Sequence, residues 1–169
     1  DIVMNNYLRH GIVEQKAYRL PGAYRQGQTS KMDETVVNCE RVAKEHIQKL
    51  DALISTHTLK ADVDLWRGLY ATPTLLSRLR PGAVFQDRAF TSTTIDRQTA
   101  IALATTKYRR EGATSVLIRI RGRPGQRAAY LEDVTKNEYE FEMLLPRNNR
   151  YRVVSVKPGK IPVITMEIE

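Results

Sequence analysis

The chain has 169 residues, 41% of them hydrophobic and 27% charged, so it can bury the core of one globular domain and is not disordered as a whole. Its single cysteine, Cys39, excludes an intramolecular disulfide and a cysteine-based zinc site, the histidines lack metal-ligand spacing, and no apolar run approaches the roughly 20 residues that span a bilayer. The net charge of +8 is either that of a soluble basic surface or a sign of attraction to an anion, and charge alone leaves nucleic acid, an acidic protein surface and a phosphate-bearing cofactor as alternatives.

The first predicted elements are a loop and a long helix. Turn-forming residues concentrate between Leu20 and Ser30, and Asp33 is typical of a helix N-terminus. Apolar residues then recur at spacings of three and four, which predicts one buried helical face. These residues are Val36, Cys39, Ala43, Ile47, Leu50 and Ile54.

A strand and a second, short helix follow. The segment Val63 to Tyr70 predicts the strand. Thr72 as a cap and Pro73 in the first helical position predict the helix, which Pro81-Gly82 closes. Another extended segment begins at Ala89-Phe90.

The rest of the chain is rich in predicted strands. A helix is predicted from Gln98 to Arg110, and Ser115 to Arg121 alternates between apolar and charged residues as a half-buried strand does. Three further strands are predicted at Tyr139–Leu145, Tyr151–Val156 and Ile161–Ile168. Helices first and strands later indicate the α+β class.

Arg67 is the first candidate functional residue. An arginine inside an apolar strand is costly to bury unless it is paired. It is therefore either an edge-strand arginine that faces water or a fork that grips a phosphate or carboxylate. The neighbouring Gly68 allows another group to approach the backbone closely.

The hydroxyl-rich segment Thr91–Thr94 is the second candidate. Thr93, with Asp96 three residues later, matches a capping box at a helix start. Another hydroxyl, that of Ser92, can orient a neighbouring group, and the two interpretations do not exclude each other.

Three acidic residues form the third candidate. In an extended strand Glu138, Glu140 and Glu142 share one face at spacings of about 7 Å, and Leu144 continues that face. The segment is either a solvated outer face of a sheet or a set of paired carboxylates. Paired carboxylates suit general base chemistry and the stabilisation of a developing cation.

The order of these motifs resembles the Arg–Ser–Glu class of ADP-ribosyltransferases, which includes bacterial toxins, secreted effectors and animal ecto-enzymes. The motifs are Leu65–Gly68, Phe90–Thr94 and Glu140–Pro146, and the resemblance runs from about Ile47 to the C-terminus. It implies an α+β fold in which a split, mixed β-sandwich follows an N-terminal helical region, with NAD in the cleft between the sheets.

The resemblance also implies a role for each matching residue. Arg67 matches the arginine that holds the NAD phosphates, and Ser92 matches the serine that positions the catalytic glutamate. Glu142 matches that glutamate, and Glu140 matches the acid that accompanies arginine targeting. The family usually shows Ser-Thr-Ser, whereas this chain has a threonine, Thr94, at the third position.

The expected NAD site therefore comprises Arg67, Gly68, Ser92, Thr93 and Glu142, and no metal is expected. Tyr130 and Tyr139 are candidates for contact with the target. We expect a single catalytic domain over residues 1–169, with a helical part over 1–60 and a β-rich NAD-binding core over 61–169. Because residue 1 is Asp rather than Met, we expect a fragment of a longer protein.

The expected activity is that of a mono-ADP-ribosyltransferase that moves ADP-ribose from NAD to an arginine of a host or competitor target protein and releases nicotinamide. The expected setting is a monomeric toxin or effector that a bacterium secretes, that uses no membrane contact and that acts in the cytosol of a target cell. The alternatives are an NAD glycohydrolase, an enzyme that modifies a non-protein acceptor such as RNA, and a non-enzymatic binding module of the same fold.

Overall fold

The computed structural model describes residues 29–105, 112–131 and 141–169, with side chains from residue 40 onward in the first range. The chain divides into two compact units, Asp1–Leu53 and Ile54–Glu169. The expectation of one catalytic domain over the whole chain stays a prediction. No helix among the described residues is long and apolar enough to cross a membrane.

Helix α1, Thr29–Ser55, is the long helix that the apolar spacing predicts. It begins before Asp33, so the predicted start at that residue is wrong. Ala43, Ile47 and Ile54 are buried, which confirms the apolar face over the part of the helix whose side chains are described.

The predicted face also includes Val36 and Cys39, whose side chains lie outside the described part of α1. Elsewhere on the helix, the surface carries ion pairs at a spacing of four residues. They join Arg41 to Glu45 and Lys44 to Glu40.

The described part of the second unit contains eight strands and two short helices. The strands are β1 (Val63–Ala71), β2 (Val84–Gln86), β3 (Thr91–Thr94), β4 (Thr114–Gly122), β5 (Ala129–Tyr130), β6 (Glu142–Leu145), β7 (Arg150–Lys157) and β8 (Val163–Ile168), and the helices are α2 (Pro73–Arg78) and α3 (Arg97–Ala104). The strands form one sheet in the order β2-β7-β8-β4-β1-β3-β6-β5. Within the described residues β4 and β8 pair in parallel and every other pair is antiparallel, so the sheet is mixed, as expected for this α+β fold.

The sheet divides between β1 and β3. Strand β1 pairs with β4 along nine residue pairs, whereas the described residues of β1 and β3 are joined at the single pair Trp66 and Thr94. We call β2-β7-β8-β4-β1 the first half of the sheet, β3-β6-β5 the second half, and the single pair the seam.

The two halves face each other around a common core. The buried cluster contains Tyr151 and Val153 from the first half and Leu145 from the second. The Tyr151 hydroxyl of β7 donates a hydrogen bond to the hydroxyl of Thr91 on β3 at 2.9 Å, although three strands separate β7 from β3 in the sheet. This arrangement is the split, mixed β-sandwich that the resemblance implies.

Local signals account well for the first of the two short helices. Thr72 caps α2 by accepting a hydrogen bond from the backbone N–H of Leu75, and Pro73 occupies the first turn, both as predicted. Helix α3 begins at Arg97 and ends at Ala104, before the predicted end at residue 110, and residues 106–111 lie outside the described range.

Candidate active site

Arg67 lies on the core-facing side of β1 and is half-buried. Leu65 and Ala71, which share its face by strand alternation, are fully buried. Because β1 lies between β4 and β3, the interpretation of Arg67 as an edge-strand residue facing water is wrong. Its Nη1 donates a hydrogen bond to the carbonyl oxygen of Ser92 at 3.1 Å, across the seam.

Ser92 connects that arginine to Glu142. Its Oγ donates to Glu142 Oε1 at 2.6 Å, within the range of hydrogen bonds to a charged carboxylate. The register pairs Thr94 with Glu142 and Ser92 with Leu144, so the serine and the glutamate are diagonal neighbours on one face. A continuous chain of contacts therefore runs from Arg67 through Ser92 to Glu142.

Thr93 holds β3 against β6. It is buried, and its hydroxyl donates to the carbonyl oxygen of Met143 at 2.7 Å. The interpretation of Thr93 as a helix cap is wrong, because its hydroxyl is engaged in this contact and α3 has another cap. The expected NAD contact of Thr93 gains no support from these bonds and stays a prediction.

Asp96 is the N-cap of α3. Its carboxylate accepts hydrogen bonds from the Thr99 hydroxyl at 2.7 Å, the Thr99 N–H at 2.8 Å and the Gln98 N–H at 3.2 Å. These bonds, that of the Thr99 hydroxyl first, hold the pKa of Asp96 below its ordinary value of 3.8. The cap fixes the start of the helix that directly follows the hydroxyl-rich strand.

The backbone before Glu142 is not extended. Phe141 has a φ of 45°, a conformation that bulky residues rarely adopt, and its carbonyl oxygen accepts a hydrogen bond from the N–H of Ile95. Strand β6 begins at Glu142, so the predicted strand is wrong at Phe141, and its predicted start at Tyr139 lies outside the described residues. The expectation that Glu140 shares a face with Glu142 assumes an extended strand through Phe141. Because Glu140 lies outside the described residues, that expectation stays a prediction.

The remaining acids of the motif, Glu138 and Glu140, lie outside the described residues, as does Tyr139. Tyr130 is exposed on the edge strand β5, where it pairs with Met143 of β6. That position is compatible with the expected contact with a target, which stays a prediction.

Gly68 has a packing role. A Cβ at this position would lie 1.9 Å from the carbonyl oxygen of Ala100 and 2.7 Å from the backbone nitrogen of Ala104. The group that approaches this glycine is thus the backbone of α3, on the face opposite Arg67. This contact does not support the expected NAD contact of Gly68, which stays a prediction.

The arrangement unites two chemical capabilities. A guanidinium has five N–H donors, so a bond to Ser92 is compatible with gripping a phosphate as well. A carboxylate oriented by a serine hydroxyl can stabilise a developing positive charge. In the described part of the chain, no group of three or more His, Cys, Asp or Glu residues is placed to hold a metal ion.

Sequence patterns did not identify the bond between Tyr151 and Thr91, which lie 60 positions apart in the sequence. Both residues lie in or beside predicted strands, and the available signal was the hydroxyl of Thr91 within its motif. Nothing local to either residue predicts the other as its partner.

Comparison with known proteins gives a family match over nearly the whole chain. The model of the family described as ADP-ribosyltransferase exoenzyme matches residues 4–166. No curated protein matches the chain significantly by sequence.

Several solved structures share the fold. The Vis toxin, an ADP-ribosyltransferase from Vibrio splendidus, has a TM-score of 0.68 at 19% identity over 99% of this chain and 66% of that one. The catalytic domain of VahC from Aeromonas hydrophila has a TM-score of 0.64 at 19% identity, with 99% and 91% of the two chains covered. The toxin Plx2a from Paenibacillus larvae has a TM-score of 0.62 at 19% identity, with 98% and 78% covered.

The chain thus spans just under two thirds of the length of the Vis toxin, at 66%. Vis has also been crystallised in complex with agmatine. At these identities the likeness shows the fold.

Proposed function

The chain belongs to the ADP-ribosyltransferase exoenzyme family, and we propose that it transfers ADP-ribose from NAD to an arginine of a target protein, with release of nicotinamide. The observation that carries this proposal is the chain of contacts from Arg67 through Ser92 to Glu142. These side chains are the ones that the resemblance assigns to NAD binding and cleavage.

NAD cleavage requires stabilisation of a cation. Breaking the bond between nicotinamide and ribose generates an oxocarbenium-like centre, as in glycoside hydrolysis. Glu142, oriented by Ser92, accepts a hydrogen bond from a ribose hydroxyl and stabilises that charge. Arg67 binds the pyrophosphate through its fork of donors.

The acceptor step needs a base, because a protonated guanidinium is a poor nucleophile. Glu140 orients the arginine of the target and accepts its proton as attack proceeds. The complex of Vis with agmatine, a small molecule that carries a guanidinium, supports arginine as the acceptor class.

The biological setting is part of the same proposal. Bacterial toxins are among the proteins that share this fold, and a single cysteine makes folding independent of intramolecular disulfides. We infer a monomeric toxin or effector domain that a bacterium secretes. It acts in the cytosol of a target cell on a host or competitor protein.

The proposal is tested with labelled NAD and agmatine, by quantifying both ADP-ribosyl-agmatine and free ADP-ribose. Glu142→Gln should lower both products by about 100- to 1,000-fold, the usual effect of removing one group that stabilises a transition state. Glu140→Gln should lower mainly the adduct. Glu138→Gln is the matched control and should behave as wild type.

Each other outcome identifies an alternative. Free ADP-ribose without an adduct contradicts the transferase and favours an NAD glycohydrolase. If RNA is added in place of agmatine, transfer of the label from NAD to the RNA favours a nucleic-acid acceptor. Absence of NAD turnover under every condition contradicts the proposal that the protein is an enzyme and favours a non-enzymatic binding module.

A further inference from the structure

Tyr151 is a buried side chain that the catalytic proposal does not use. It is 2% exposed, and its ring packs in the main core beside Phe85 with centroids 5.8 Å apart. Its hydroxyl donates to the Thr91 hydroxyl at 2.9 Å and accepts from Asn149 Nδ2 at 3.4 Å. The hydroxyl therefore has both a donor and an acceptor partner.

The position of this hydrogen bond matters because of how the sheet is divided. Among the described strands, the two halves are joined in the ladder only at Trp66 and Thr94. The contact of Arg67 with Ser92 also crosses the seam, and the bond between Tyr151 and Thr91 is a further tie, made from β7, three strands away from β3. It fixes β3 at the residue directly before Ser92.

Ser92 uses two different atoms in the site, and both depend on where β3 lies. Its carbonyl oxygen accepts from Arg67 of the first half, and its hydroxyl donates to Glu142 of the second. A small displacement of β3 relative to β1 would lengthen the contact between Arg67 and Ser92. The contact between Ser92 and Glu142 would stay unchanged, because both residues belong to the second half and would move together.

We propose that Tyr151 is a positioning residue for NAD cleavage: through Thr91 it sets the place of Ser92 between Arg67 and Glu142. The inference rests on the proposed function, because it assigns the three contacts to the NAD site. It concerns Tyr151 as a group that acts through Thr91 and does not itself touch the substrate.

The electrostatic surroundings of the hydroxyl agree with this location. Burial raises the pKa of Tyr151 above its ordinary value, and the hydrogen bonds from and to its neighbours oppose that shift. The negative charge of Asp87 and the positive charge of Arg67 also act on the hydroxyl. Tyr151 thus lies within electrostatic reach of the arginine whose contact it helps to set.

The test is Tyr151→Phe, which removes the hydroxyl and keeps the ring in the core. We expect kcat/KM for NAD, measured by nicotinamide release, to fall about 3- to 10-fold, as the loss of one neutral hydrogen bond would predict. The KM for agmatine should not change. Thr91→Val should have the same effect, and the double variant should be no worse than either single variant because both substitutions remove the bond between Tyr151 and Thr91.

Val153→Ala is the matched structural control. Val153 is buried two residues along β7 in the same core, so its truncation lowers the melting temperature without touching Thr91. Assays run well below the melting temperature should show wild-type kcat/KM for this variant. A merely structural role for Tyr151 would make the two variants alike.

The outcomes separate this inference from the proposed function. A wild-type protein that does not turn over NAD contradicts the proposed function and, with it, the inference. A wild-type protein that turns over NAD while Tyr151→Phe matches it within twofold, or while Val153→Ala loses as much, overturns the inference alone. Additive losses in the double variant overturn it as well.

Discussion

The two halves of the sheet differ in how they are held together. In the first half, β1 and β4 pair along nine residue pairs, and β4 continues into a parallel ladder with β8. The described strands of the second half contain four, four and two residues. The first half supplies Arg67, and the second supplies Ser92 and Glu142.

This difference indicates that the first half mainly determines the stability of the fold and the second half mainly determines the chemistry of the site. The long ladders of the first half carry most of the buried cluster, whereas the short strands of the second half place polar groups against each other. We therefore expect substitutions in the first half to act mainly on the free energy of unfolding. Substitutions in the second half should act mainly on the rate of NAD cleavage.

The largest effect is expected from Gly68→Ala in the first half. The added Cβ would lie 1.9 Å from a backbone carbonyl oxygen of α3. Because the clashing atom belongs to the backbone, no rotation of a side chain can relieve the clash. We expect the free energy of unfolding to fall by about 3 kcal/mol, the upper range for an overpacked site. Urea denaturation measures it.

Gly159→Ala is the matched control for that substitution, because the nearest atom to its Cβ would be 3.6 Å away, an ordinary contact. It should unfold as wild type does. Equal stability of the Gly68 and Gly159 variants would show that α3 can move away from β1, contrary to the comparison.

Ser92→Ala is the corresponding change in the second half. It removes the 2.6 Å hydrogen bond to Glu142, and a bond to a charged group is typically worth about 1.5–3 kcal/mol. We expect kcat for nicotinamide release to fall about 10- to 100-fold while the melting temperature changes little. Ser155→Ala, at an exposed position of β7, is the control. A large loss of stability with little loss of rate would reverse the comparison.

A smaller effect is expected at Asp96, the cap between β3 and α3. Its pKa is lower in the folded protein than the ordinary 3.8, so its stabilisation is complete above that pH and is lost as the pH falls through the lowered value. Asp96→Asn keeps a capping side chain but does not titrate. The melting temperature of the variant should therefore fall less steeply than that of wild type below pH 4. Parallel pH profiles for the two proteins would contradict this role.

The smallest effect is expected on the face of the first half that lies opposite Arg67. There Arg119 pairs with Asp64 at 2.6 Å, and both side chains are about a third exposed, at 35% and 39%. We expect Arg119→Gln to cost about 1 kcal/mol of stability or less, with unchanged NAD turnover. Unfolding and nicotinamide release, measured together, check both parts. A tenfold loss of turnover would show that chemistry is not confined to the seam.

The sequence predicted features that local signals determine. The run from Val63 to Tyr70 located β1 with Arg67 inside it, and a hydroxyl followed by proline located the start of α2. The resemblance selected Ser92 and Glu142, which the structure brings within 2.6 Å. Each of these features depends on residues close together in the sequence or on a motif.

Features that depend on distant partners escaped prediction. The sequence predicted Thr93 as the cap with Asp96 as its capping-box partner, whereas the pairing of β3 with β6 directs the Thr93 hydroxyl to Met143 and Asp96 is the cap. The left-handed backbone at Phe141 could not be predicted, because bulky residues rarely adopt this conformation and the sequence there gives no sign of it. The role of Gly68 depends on where α3 packs.

We also expect the second unit to open first at the seam, where the described strands share a single ladder pair. Few backbone hydrogen bonds between the described strands must break for β3, β6 and β5 to separate from β1, so their amide hydrogens can exchange by a partial opening that leaves the first half intact. A ligand that contacts Arg67 on one side and Glu142 on the other spans this opening. Its binding energy would therefore suppress the partial opening, and amide protection in the second half would report on occupancy of the site.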